Sequence, residues 1–194
     1  MGILVNPRAK ALIFDIDGTL ADTMPTHFEA FKTVLGRYGI EMTPELFNSV
    51  AGVPVQPQMK LFKKLFNPIG FVPEKVAIEK EEEYFKSIHL MKPIDVVYQV
   101  LLDHVGKMPI ACGTGGDRKI ASTTLEVIGL TDKVSAVVTC EDVVNGKPAP
   151  DTFLKCAELL GVEPQFCQVF EDGQPGIDAA IAAGMMVTDV REYL

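Results

Sequence analysis

Two aspartates, Asp15 and Asp17, stand two residues apart in Phe14-Asp15-Ile16-Asp17-Gly18-Thr19-Leu20, directly after the apolar run Ala11-Leu12-Ile13-Phe14. The run predicts a buried strand that breaks into a loop at the acids. Gly18 frees the backbone there, and Thr19 adds a hydroxyl. Carboxylates this close raise each other's pKa unless a cation lies between them or one holds a proton. A costly pair at the carboxyl end of a strand therefore points to chemistry. Calcium loops share the letters Asp-x-Asp-Gly, but an EF-hand needs further oxygen ligands at fixed offsets and a closing glutamate. Leu20 and Ala21 interrupt that pattern, and the segment follows a strand rather than a helix.

Three more polar clusters fall at or just beyond predicted strand ends: Thr114-Gly115-Gly116, Lys147 within Asn145-Gly146-Lys147-Pro148, and Glu171-Asp172. The first offers a hydroxyl and exposed backbone N–H groups at a helix start, a natural phosphate cradle. It also reads as a plain turn. Lys147 alone is an ordinary surface residue type, but Pro148 and Pro150 give its loop a fixed path. Glu171-Asp172 precedes Gly173-Gln174-Pro175-Gly176 and could cap the following helix. With Asp15 nearby, the two acids supply the hard oxygen ligands that magnesium prefers. His27 is a lone histidine with a structural reading and a weaker functional one, since a functional role needs a shifted environment.

The elements that must bring these residues together are alternating. Short apolar runs at Ala11–Ile16, Pro109–Gly113, Ala136–Cys140, Cys167–Phe170 and Met186–Val190 lack clean alternation, as parallel strands buried on both faces do. Helical patterns over Asp117–Ile128, Ala149–Leu160 and Gly176–Ala183 each stop at a glycine. Together they predict an α/β fold, a Rossmann-like doubly wound parallel sheet, whose ligands bind beyond the carboxyl ends of the strands. The interval from Asp17 to Pro109 is about three times the ~30 residues of a βαβ unit. It reads as helix at Thr26–Tyr38, Pro44–Val50, Gln56–Phe66, Pro73–His89 and Pro93–Val105. The expected organisation is an α/β core of residues 1–22 and 92–194, with a helical insertion over 23–91. Phe28, Phe31, Met59 and Phe62 fit the core of that insertion, and Glu79, Glu81, Glu82 and Glu83 fit its solvated face.

At 194 residues, one domain or a domain with a modest insertion is expected. The net charge of −8 gives no support to nucleic-acid binding, which favours a basic surface. It also means that an anionic substrate must be captured by local positive charge. No apolar run approaches the ~20 residues of a membrane span, and Met1–Lys10 lacks a signal-peptide pattern. Cys112, Cys140, Cys156 and Cys167 form no Cys-x-x-Cys pair, which fits reduced thiols and a cytoplasmic location. His27, His89 and His104 are scattered, against a zinc site. Oligomeric state leaves no mark in the sequence, and a chain of this size can act as a monomer.

Jointly the four clusters resemble the haloacid dehalogenase superfamily, in the right order and over essentially the whole chain. Asp15-Ile16-Asp17-Gly18-Thr19 looks like its first motif, Thr114 its second, Lys147 its third and Glu171-Asp172 its fourth. The insertion is similar to the small helical cap of the β-phosphoglucomutase-like subgroup. Within that subgroup, Pro25-Thr26-His27, Cys112-Gly113-Thr114-Gly115, Lys147-Pro148-Ala149-Pro150-Asp151-Thr152-Phe153 and Val169-Phe170-Glu171-Asp172 look most like bacterial fructose-1-phosphate/6-phosphogluconate phosphatases. The resemblance implies a Mg2+-dependent phosphatase acting on a small phosphorylated metabolite. Asp15 would be the nucleophile and Asp17 the acid/base. Thr114, Gly115 and Lys147 would hold the phosphoryl group. Asp15, the Asp17 carbonyl, Glu171 and Asp172 would hold the metal. His27 matches a cap histidine that mutase relatives associate with control of the acid/base aspartate.

Departures narrow the choice. A phosphosugar mutase must grip a second phosphate. The segment Ala51-Gly52-Val53-Pro54-Val55 carries no arginine, and Gly116-Asp117 replaces a Ser-Lys pair, although Arg118 is next. Hydrolysis is therefore expected over transfer. Dehalogenase chemistry is disfavoured because it does not use the second aspartate. The other alternative is a non-hydrolytic phosphate- or metabolite-binding regulator. The retention of every catalytic position argues against it.

Overall fold

The computed structural model describes residues 2–50 and 55–194. In chain order it contains β1 (Ala11–Phe14), β2 (Ala21–Asp22), α1 (Met24–Gly36), α2 (Pro44–Val50), α3 (Val55–Phe66), α4 (Pro73–Lys86) and β3 (Lys92–Pro93). There follow α5 (Asp95–His104), β4 (Ile110–Gly113), α6 (Arg118–Val127), β5 (Ala136–Val138), α7 (Asp151–Leu160), β6 (Cys167–Glu171), α8 (Gln174–Ala182) and β7 (Met186–Asp189). The chain divides into two compact units, one made of the residues up to Asp22 together with Lys92–Leu194, the other of Thr23–Met91. None of the described helices is long and apolar enough to cross a membrane.

The first unit is built on a five-stranded sheet in the order β5-β4-β1-β6-β7, with every pairing parallel. The unbroken apolar runs follow from burial on both faces. β1, β4 and β6 are buried at every position. On one face Ala11, Ile13, Ala111 and Val169 pack with Phe153, Cys156 and Ala157 of α7 and Ala179 and Ala180 of α8. The opposite set of β1 side chains includes Phe14, whose ring stacks on its in-register neighbour Phe170 at 4.6 Å. A separate two-residue antiparallel ribbon pairs Ala21 with Pro93 and Asp22 with Lys92. Cys112, Cys156 and Cys167 are buried and Cys140 is exposed. Burial pushes the thiols of Cys112, Cys156 and Cys167 up, which makes them unreactive.

β1, α1, β5 and α4 each end two or three residues earlier than their patterns predict, and for β5 and α4 the reason is local. β5 stops at Val138 because Thr139 turns the chain into a short 3-10 turn, Cys140–Asp142. The Thr139 side chain and backbone exchange hydrogen bonds with that turn in a capping box. α4 stops at Lys86, where Ser87 leaves helical geometry and a 3-10 turn follows. α7 closes on Gly161 in left-handed conformation (φ +65°), as the stop signal predicts.

The second unit is helical. Phe31, Val34 and Leu35 of α1, Phe47 of α2, Met59 and Phe62 of α3, and Val76 and Ala77 of α4 form its core, with Phe28 packed against it. Glu79 and Glu83 of α4 pair with Arg37, and Glu82 is exposed, so the acidic run is a solvated face. Lys80, inside that run, is the exception. It is fully buried, at helical spacing from Val76 and Tyr84. Residues 51–54, within the segment that carries no cap arginine, lie outside the described residues.

Candidate active site

The parallel register brings the polar clusters to one end of the sheet. Phe14 pairs with Cys112 on one side and Phe170 on the other. Asp15, Gly113-Thr114 and Glu171-Asp172 therefore leave β1, β4 and β6 at the same edge. Lys147 arrives on the loop after β5. Its Nζ lies 2.6 Å from Asp15 Oδ1 and 2.7 Å from Glu171 Oε2, with the Phe153 ring 4.7 Å beneath it. Residues 132 and 24 positions away along the chain thus meet at one ammonium.

The acids are packed closely. Asp15, Glu171 and Asp172 can each offer a carboxylate oxygen, and these oxygens lie within 4.8 Å of one another. Thr19 Oγ1 donates to Asp172 Oδ1 at 2.8 Å, and the Gly173 N–H donates to Glu171 Oε1 at 2.9 Å. Two glycines clear the space. Gly18 has φ +83°, and a Cβ there would overlap the Asp172 carboxylate; a Cβ on Gly176 would overlap that of Glu171. Thr114 is buried, and its Oγ1 accepts from the Gly116 N–H at 3.0 Å. A Cβ on Gly116 would lie 3.7 Å from Asp17 Oδ2, which places the Asp17 carboxylate on the Thr114 side of the site. Space is open beside Gly115.

The electrostatics follow from burial and charge count. Burial raises the Asp15 pKa well above the carboxylate range, and Glu171, Asp17 and Asp172 raise it further against the opposing charge of Lys147. Burial likewise raises Asp172, against the Thr19 hydrogen bond. Desolvation alone would depress Lys147, but Asp15 and Glu171 hold its ammonium above the usual lysine value. One lysine facing several crowded carboxylates leaves an excess of negative charge. An oxygen-only donor set in that condition fits a hard divalent cation such as Mg2+. Among the described residues, the carboxylate trio is Asp15, Glu171 and Asp172. The side chain of Asp17 is not part of it.

His27 belongs to the helical unit. Its Nδ1 lies 2.8 Å from Lys80 Nζ, and its ring stacks on Tyr84 with centroids 4.5 Å apart. An ammonium can only donate, so Nδ1 accepts and the imidazole proton sits on Nε2. Burial and the charge of Lys80 push the His27 pKa down to about 3. The unfolded chain takes up a proton near the ordinary value of 6.5 that the folded chain refuses until about 3. His27 therefore contributes full stability above pH 6.5 and loses it as the pH falls, by at most about 1.4 kcal/mol per unit. Thermal melts from pH 7 to pH 4 are expected to fall more steeply for the wild type than for His27→Gln. Equal slopes would place a charged imidazole in the folded state.

Three residues of these environments, Thr19, Gly176 and Lys80, are not marked as site residues by the sequence. Thr19 lies inside the first motif, and Lys80 sits on the apolar face of α4. Those two positions are the signals that could have found them.

Residues 12–190 match the family described as haloacid dehalogenase-like hydrolase. Fructose-1-phosphate phosphatase YqaB from Escherichia coli is 42% identical over 186 residues, covering 95% of this chain and 97% of that protein. A phosphorylated carbohydrates phosphatase from Thermotoga maritima is 30% identical, covering 91% of this chain and 82% of its own. The crystal structure of β-phosphoglucomutase from Clostridium difficile superposes with a TM-score of 0.74 at 27% identity, over 92% of this chain and 83% of that one. With the acid pair just beyond β1, the lysine after β5 and Glu171-Asp172 at the end of β6 on this sheet, the chain belongs to the haloacid dehalogenase-like hydrolases.

Proposed function

We propose that this hydrolase is a Mg2+-dependent phosphatase of small phosphorylated metabolites, with sugar phosphates such as fructose 1-phosphate or 6-phosphogluconate as the substrate class. The observation that carries the reading is the position of Asp15. It is a buried carboxylate at the end of the central strand, held by Lys147 at 2.6 Å, with Asp17 two residues on and two more acids beside it.

In this reading an Asp15 oxygen attacks phosphorus and the ester bond to the leaving oxygen breaks. Asp17 gives that oxygen its proton, so an alcohol departs and an aspartyl-phosphate remains. Asp17, now a carboxylate, takes a proton from water. The resulting nucleophile attacks the same phosphorus, releases phosphate and restores Asp15. Thr114, the Gly115 amide and Lys147 hold the phosphoryl oxygens, which is most of what phosphoryl transfer asks of a protein. The Asp15, Glu171 and Asp172 carboxylates and the Asp17 carbonyl would hold Mg2+, which supplies charge neutralisation when bound. The helical unit, residues 23–91, acts as a cap that selects the substrate.

The residues after Thr114 favour hydrolysis over mutase chemistry. The Asp117 side chain caps α6 by accepting from the Ile120 N–H at 2.8 Å. The Arg118 guanidinium is engaged by both oxygens of Asp142. Both residues are committed within the protein rather than presented to a second phosphate.

Phosphate release from fructose 1-phosphate, 6-phosphogluconate, glucose 1-phosphate, nucleotides and pyrophosphate is expected for the sugar phosphates in Mg2+, and is expected to vanish with chelator. Isomerised sugar phosphate without free phosphate would turn the reading to a mutase. Phosphate binding without turnover would turn it to a regulator.

A further inference from the structure

Lys147 sits on a loop without regular secondary structure, and its reach to Asp15 depends on what fixes that loop. Val144 is 94% exposed and contributes no packing. The far side of the loop is tied by Asn145, whose backbone and side-chain nitrogens both donate to Asp151 Oδ2 at 3.3 and 3.1 Å. The near side is tied by Asp142. One Asp142 oxygen accepts from the backbone and hydroxyl of Thr139, both at 2.8 Å. Both oxygens also receive the Arg118 guanidinium. Arg118 opens α6, four residues after Thr114. The Cys140 N–H donates to the Gly116 carbonyl at 3.1 Å, next to this pair.

We propose that Arg118 and Asp142 are positioning residues, a strap that locks the Lys147 loop to the Thr114 loop so that both loops address one phosphoryl group. The inference rests on the reading of Thr114 and Lys147 as phosphate-holding groups. Two groups that share a ligand must keep their spacing to within about 0.5 Å. The Thr114 N–H is held by the Val138 carbonyl at 2.9 Å at the end of the β4–β5 ladder, while the residues from Val144 to Lys147 lie beyond that ladder. A single guanidinium nitrogen, Nη2 of Arg118, reaches both Asp142 oxygens, so one charge-assisted contact spans the two loops. The pair is 50% and 29% exposed. Its effect is therefore bounded at about fivefold, the most an exposed ion pair commonly carries.

The test is calorimetric titration of the Mg2+-loaded protein with inorganic phosphate. Arg118→Met and Asp142→Asn are each expected to weaken phosphate about fivefold. The double variant is expected to be no weaker than either single one, since both remove the same contact. In a Lys147→Ala background, Arg118→Met is expected to cost nothing more, because the strap acts through that lysine. A merely stabilising pair would lower the melting temperature and leave phosphate affinity unchanged in every background. That result, or additive losses, overturns the strap while leaving the phosphatase reading in place. A wild type that binds phosphate through the strap but hydrolyses no ester removes the phosphatase reading and leaves the strap. A wild type that binds no phosphate overturns both.

Discussion

Asp15→Asn is expected to slow phosphate release by about 10^4-fold or more while the protein folds as well as the wild type. The loss follows from chemistry: a carboxamide does not attack phosphorus, and none of the neighbouring acids leaves the same strand end at the same level. The retained fold follows from the charge balance. Removing one member of a buried ion pair usually costs several kcal/mol because the other charge is orphaned. Here Lys147 keeps Glu171 at 2.7 Å. The charge of Asp15 is also opposed by its surroundings, by burial first and then, against the pull of Lys147, by Glu171, Asp17 and Asp172. Asparagine has nearly the same shape and removes that charge, so the melting temperature is expected to hold or rise. Turnover within tenfold of the wild type would sink the nucleophile assignment. Loss of activity together with a collapsed melting temperature would show only that Asp15 is structural.

The same charge balance explains why the site needs its particular companions. Several carboxylates and one lysine at the end of a dry sheet are unstable as a bare set. Each partner blunts part of the cost: Thr19 for Asp172, the Gly173 amide for Glu171, and Lys147 for both Asp15 and Glu171. The remaining excess of negative charge suits a site meant to bind a cation.

Much of this arrangement is legible in the residues alone. Apolar runs without alternation mark β1, β4 and β6 because strands covered on both faces have no polar side to show. Glycines after the helical patterns mark where α6, α7 and α8 stop. Clusters at strand ends can be placed at one edge because a parallel sheet sends all its carboxyl ends the same way. What stays illegible depends on distance along the chain or on side-chain direction. The bond from Thr19 to Asp172 spans 153 residues, and local pattern cannot reveal it. Lys80 stands among glutamates and reads as one more surface charge, yet α4 turns it inward beside His27. Asp117 reads as a group that would repel a second phosphate, and its carboxylate is instead folded back onto the first turn of α6. The choice between those two fates is made by a side-chain torsion, which letters do not encode.

Gly176→Ala is expected to weaken Mg2+ binding by about tenfold or more and to lower stability, although helix propensity argues the reverse. In an ordinary helix position the substitution gains about 1 kcal/mol. At Gly176, the third residue of α8, the added Cβ would occupy the space of the Glu171 carboxyl group. Glu171 has nowhere costless to go. It is 3% exposed, with one oxygen held by the Gly173 N–H and the other by Lys147. Swinging it aside forfeits hydrogen bonds to a charged group worth about 1.5–3 kcal/mol, which outweighs the propensity gain. It also removes one of three converging carboxylates, a change of the size that costs metal sites about 10–100-fold in affinity. Titrating Mg2+ by calorimetry against apo protein reads this directly, without any turnover assay, and a thermal melt in chelator reads the stability. A variant that melts higher than the wild type with unchanged Mg2+ affinity would mean that the Glu171 carboxylate does not need the space Gly176 leaves, and would remove Glu171 from the proposed ligand set.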